Sequence, residues 1–89
     1  MTTTLTVTFK NQLAEIERLG EVLTTFAEQQ AWPPKFLFET NIALEELLTN
    51  IILYGYEDGR EHDITLRLSD DAEELAVELV DEGRAFNPL

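Results

Sequence analysis

Apolar and polar positions alternate along three stretches of the chain and recur at helical spacing along two. In Thr4–Phe9, Leu5, Val7 and Phe9 fall on one side and Thr4, Thr6 and Thr8 on the other. β-Branched and aromatic residues at period two predict a strand with one buried face. From Gln12 to about Gln30 the apolar residues are Leu13, Ile16, Leu19, Leu23, Phe26 and Ala27. Steps of three and four predict an amphipathic helix with one buried stripe, and Asn11 is placed to cap its N-terminus. Ala31-Trp32-Pro33-Pro34 is a connector, in which Pro34 suits the first turn of a second helix and Trp32 a lid between the two helices. That helix runs to about Tyr54 and is apolar over much of its circumference, so it is expected to pack on more than one side, with Gly55 or Gly59 ending it. After an exposed loop, His62–Ser69 and Glu74–Val80 alternate again around a polar turn, which predicts an antiparallel hairpin. The order is strand, helix, helix, strand, strand. Two helices on one face of a mainly antiparallel sheet would bury every apolar stripe, giving a two-layer α+β sandwich.

Composition narrows the chemistry. The 89 residues make one modest domain, and 44% hydrophobic with 27% charged is ordinary for a folded one. The formal charge of −12 opposes nucleic acid and anionic membrane as partners. With no cysteine and one histidine, His62, disulfides, thiolate chemistry and multi-histidine metal sites are excluded. No basic leader or long apolar run is present, which makes the cytoplasm the default compartment.

Two short motifs carry candidate chemistry. In the second helix, Glu46 and Asn50 are one turn apart and project side by side. A carboxylate can act as a general base, and an amide oxygen is a neutral ligand suited to a hard cation such as Mg²⁺. A solvated Glu46 with Asn50 bonded locally is the alternative. The second motif is Asp81-Glu82-Gly83-Arg84-Ala85-Phe86. Asp81 leaves the last predicted strand and can accept from an exocyclic amino group, while Gly83 lets backbone approach a ligand closely. A plain acidic strand end followed by a turn is the alternative here.

An E-x-x-x-N helix, a loop, a hairpin and D-x-G-x-x-F in that order resemble the nucleotide-binding fold shared by DNA gyrase, heat-shock chaperones of the ninety-kilodalton class, mismatch-repair ATPases and sensor histidine kinases. Within it the chain is most similar to the bacterial anti-sigma-factor serine kinases. The matching stretches are ALEELLTNIILYGYE, Ala43–Glu57, and VDEGRAFNP, Val80–Pro88. The resemblance implies ATP and Mg²⁺ as cofactors. It implies Glu46 as the base that activates water or a serine hydroxyl, Asn50 as the Mg²⁺ ligand, Asp81 as the adenine contact and Gly83 as the pocket floor. Tyr54, one turn beyond Asn50, is placed to flank the site. No G-x-x-x-x-G-K-[ST] offers another phosphate cradle.

The same resemblance implies a sigma factor and an anti-sigma-factor antagonist as partners. The family pattern continues past the glycine motif with a lid over the phosphates, a further helix and more strands, so residues 1–89 are expected to be one incomplete ATPase-like domain with weak or absent ATP binding and inefficient turnover. An unpaired edge on the third strand would then invite homodimerisation. Two other readings use the same residues. One is a non-catalytic interaction or dimerisation module on this fold. The other is the N-terminal part of a sensor histidine kinase catalytic domain.

Overall fold

The computed structural model describes residues 2–56, 58–71, 73–81 and 84–86, with residues 81 and 84–86 described by their backbone. The elements are β1 (Thr3–Lys10), α1 (Glu15–Gln30), α2 (Pro34–Tyr54), β2 (Asp63–Asp70), β3 (Leu75–Asp81) and β4 (Arg84–Phe86). This is an α+β fold of two helices and an antiparallel sheet. It divides into two compact units, one built from Gln12–Arg60 and the other from Met1–Asn11 with Glu61–Leu89.

The sheet unit has the strand order β1-β2-β3-β4, each neighbour antiparallel to the next. Apolar residues meet apolar residues across the ladder: Leu5 faces Leu68, Val7 faces Leu66, and Leu66 faces Leu79 on its other side. Phe9, Ile64, Leu66, Leu68 and Leu79 are fully or almost fully buried, as the period-two pattern requires. β4 is a strand that alternation could not reveal, since three residues hold too little pattern. It pairs with β3 through Asp81 and Arg84, Val80 and Ala85, and Leu79 and Phe86.

The hairpin joining β2 to β3 is closed by Asp71. Its Oδ1 accepts from the backbone N–H of Glu73 at 2.9 Å and of Glu74 at 2.8 Å, while its own N–H donates to the Glu74 carbonyl at 3.1 Å. These two donors hold the Asp71 carboxyl below its ordinary pKa, because they stabilise the ionised form.

Asn11 does not cap α1. Its N–H donates to the His62 carbonyl at 3.1 Å, and its Oδ1 accepts from the His62 N–H at 2.7 Å. The ladder between β1 and β2 thus claims Asn11, and α1 begins only at Glu15, with Ala14 at the cap position and no side-chain cap. A strand extension that satisfies two backbone groups competes here with a cap that would satisfy one.

In the helical unit, α1 buries Leu19, Leu23, Phe26 and Ala27, the stripe expected of it. It ends at Ala31 in a left-handed conformation (φ 55°), with the Trp32 N–H returning to the Ala27 carbonyl at 2.9 Å. Trp32 is half-buried between aromatic edges, its ring centroid 5.7 Å from Phe26 and 4.8 Å from Phe36. Pro34 opens α2 at its first turn, where a missing N–H costs little. Gly55 closes it: its N–H donates to the Ile51 carbonyl at 2.8 Å, and a Cβ there would stand 2.5 Å from that same oxygen. No helix among the described residues is long and apolar enough to cross a membrane.

α2 differs from the expectation of packing on several sides. Leu44, Leu48 and Ile51 are buried along one side. Phe38, Ile42, Leu53 and Tyr54 are exposed, Phe38 by 64% and Tyr54 by 78%.

Candidate functional site

The chemistry-bearing part of α2 follows from its own sequence. Leu44, Leu48 and Ile51 fix one side of the helix inward, at steps of four and three. The same periodicity turns Glu46 and Asn50 outward, and both are exposed. Ile42, Glu45, Glu46, Thr49 and Asn50 line an open depression of about 270 Å³. Sequence reasoning named Glu46 and Asn50 but gave no role to Ile42, Glu45 or Thr49. The signal was available, since Ile42 precedes Glu46, and Glu45 precedes Thr49, by one turn.

The lining is chemically mixed. Glu45 and Glu46 bring two carboxylates, Asn50 an amide, Thr49 a hydroxyl and Ile42 an apolar wall. Neither glutamate has an ion-pair partner among the described residues. The nearest cation on the helix, Lys35, pairs with Glu39 at 3.9 Å instead. Two uncompensated carboxylates beside an amide oxygen form a donor set that suits a hard, oxygen-seeking cation. Among the described residues no group of three or more His, Cys, Asp or Glu side chains forms a metal cage. A cation held here would therefore complete its shell with water or with ligand oxygens, which is the ordinary habit of Mg²⁺.

The remaining predicted residues fall as follows. Tyr54 is on the same helix, highly exposed, and is not among the residues lining the depression. Asp81 is the last residue of β3, with its backbone opposite Ile64 on one side and Arg84 on the other. The sequence expectation that Asp81 stands at a strand end thus holds. Gly83 lies outside the described residues.

A strand, two helices and a hairpin, with Glu46 and Asn50 outward on the second helix and an aspartate at a later strand end, stand in the order on which the resemblance drawn from the sequence rests. The chain matches the histidine kinase-like ATPase domain over residues 9–89 and belongs to that family. No curated protein and no solved structure matches it. The family binds ATP and Mg²⁺.

Proposed function

We propose that this is the Mg²⁺–ATP-binding domain of an anti-sigma-factor-like serine kinase, binding weakly as residues 1–89 alone, and that the kinase regulates transcription by phosphorylating an antagonist and binding a sigma factor. The observation that carries this reading is the outward pair Glu46 and Asn50, side by side over one depression and free of ion pairs among the described residues. Family membership over residues 9–89 supports it from a separate direction.

In this reading Asn50 holds the metal through its amide oxygen. The metal, when bound, neutralises charge on the phosphates, which is most of what phosphoryl transfer asks of a protein. Glu46, one turn away, is the general base and takes the proton of the attacking hydroxyl. Its exposure suits this role, since the acceptor must reach it from solvent. By the family resemblance Asp81 is the adenine contact and Gly83 the pocket floor, and Tyr54 flanks the site.

An NMR titration of the chain with Mg²⁺–ATP separates these roles. Saturable shifts are expected at Glu45, Glu46, Thr49 and Asn50. Asn50→Ala and Asp81→Asn should each abolish them, whereas Glu46→Ala should leave them and remove only phosphotransfer. Equal shifts in the wild type and in both binding-site variants would overturn the proposal.

A further inference from the structure

The side of α2 that faces away from Leu44, Leu48 and Ile51 carries apolar side chains in a line. Phe38, Ile42 and Leu53 are separated by four and eleven residues, and at 100° per residue these steps bring all three within about 60° of one another. All three are exposed, Phe38 by 64%, Ile42 by 47% and Leu53 by 48%. Exposed apolar residues scattered singly need no account. Three in line on one helix, with Phe38 and Ile42 a single turn apart, form a stripe of the kind that marks a binding face. Ile42 also lines the depression at Glu46, and from there the stripe extends toward the N-terminal end of the helix, where Phe38 stands.

What suits the stripe is set by the charge beside it. α2 holds three carboxylates, Glu39, Glu45 and Glu46, and one cation, Lys35. Lys35 is taken by Glu39 at 3.9 Å, and Glu45 and Glu46 have no ion-pair partner among the described residues. The middle of the stripe is thus apolar and anionic together. A second copy laid on this face would bring the same uncompensated carboxylates to the contact, on a chain that already carries −12. An anionic membrane or a nucleic acid is repelled in the same way. A protein helix with apolar residues at i, i+4 and i+7 and with Lys or Arg beside them matches both properties. Its apolar side lies along Phe38 and Ile42, and its cations meet Glu45 and Glu46.

We propose that the outward side of α2 from Phe38 to Glu46 docks an amphipathic helix of a partner protein, one whose apolar residues are flanked by Lys or Arg. Phe38 and Ile42 supply the apolar anchors, and Glu45 with Glu46 supplies the anionic rim that fixes which way the helix lies. The docking needs no nucleotide. It weakens with ionic strength, because salt screens the exposed carboxylates, whereas a contact made by apolar burial alone would not weaken in this way.

Fluorescence anisotropy of the chain without nucleotide, against three labelled helical peptides of equal length, tests this. One peptide has leucine at the anchor positions and lysine at the others. The second replaces every lysine by glutamate, and the third replaces every leucine by serine. Only the leucine–lysine peptide should bind saturably, and more weakly at higher salt. Phe38→Ser, Ile42→Ser and Glu45→Lys should each raise its dissociation constant at least about fivefold. Glu21→Lys makes the same charge change on α1 and should leave that constant within about twofold. All four positions are exposed, so circular dichroism of each variant should stay native. No saturable binding of the leucine–lysine peptide overturns the proposal. Equal binding of either control peptide, or an equal loss from Glu21→Lys, overturns it in favour of contacts that are only apolar or only electrostatic. Self-association of the chain, or its binding to phosphatidylcholine vesicles, that Phe38→Ser abolishes would give the face another occupant and overturn it as well.

Discussion

The sheet and the Glu45–Asn50 face of α2 treat their polar side chains in opposite ways. On the sheet, exposed polar groups are matched across the ladder. Lys10 bonds Asp63 at 2.6 Å and Glu61 at 3.3 Å, Arg67 pairs with Glu78, and Asp71 holds two backbone donors of its turn. These contacts raise the Lys10 pKa, through the Asp63 hydrogen bond first, and lower that of Asp71. On α2, by contrast, the side chains of Glu45, Glu46 and Asn50 make no ion pair or hydrogen bond with any other described residue, although they line one depression. Matched polar groups lock a register. Unmatched ones, gathered on a helix whose far side is anchored by Leu44, Leu48 and Ile51, remain available to something outside the chain.

The contrast depends on α2 being held rigidly by its buried side. Leu48→Ala should therefore have the largest effect, a loss of about 2–5 kcal/mol in urea unfolding, because Leu48 is almost fully buried and the cavity cannot close freely. A cost like that of a surface change would mean that the face bearing Glu46 and Asn50 is not anchored as described. Gly55→Ala comes next. The added methyl meets the Ile51 carbonyl oxygen, so either the helix end shifts or stability falls by about 1–3 kcal/mol. Unchanged thermal unfolding would contradict this closure of α2.

The next two substitutions address the contrast itself. Asp71→Ala should destabilise the sheet unit at neutral pH. The Asp71 carboxyl is held below its unfolded value, so its contribution is present above about pH 3.9 and disappears as pH falls through the lowered folded value. Melting curves of the wild type and Asp71→Ala should therefore converge in acid and separate above it. A constant difference down to the lowest pH would assign the effect to something other than ionisation. Glu46→Gln should change stability least, within about 0.5 kcal/mol, because the carboxylate has no partner among the described residues to lose. A Glu46→Gln effect as large as that of Asp71→Ala would remove the distinction between matched and unmatched groups.

The elements that the sequence disclosed were those with sustained period. β1, both helices and the β2–β3 hairpin each repeat their pattern over several residues, and Pro34 and Gly55 punctuate α2 for steric reasons that any chain obeys. What escaped depends on tertiary competition or on too few residues. Asn11 is as good a cap as a strand-end residue in isolation, and only the presence of His62 opposite decides between them. β4 is too short to show alternation. The apolar excess of α2 implied wider burial than Phe38, Ile42 and Leu53 achieve, since periodicity reports which residues share a side and not whether a neighbour covers it. At the candidate site, helical spacing fixed Glu46 beside Asn50 before any coordinates, and strand alternation put Asp81 at its strand end. The same spacing puts Ile42 one turn before Glu46 and Glu45 one turn before Thr49, but spacing alone does not say that these residues line a depression.

The central claim is that Glu46 and Asn50 form the metal-and-phosphate end of a nucleotide site. Paramagnetic broadening by Mn²⁺–ATP, used in place of Mg²⁺–ATP, tests it most directly. The account predicts that amides from Glu45 to Asn50 broaden selectively with Mn²⁺ and ATP together, less with Mn²⁺ alone, and not at all in Asn50→Ala. Broadening spread evenly over the acidic surface, or unchanged by Asn50→Ala, would contradict it.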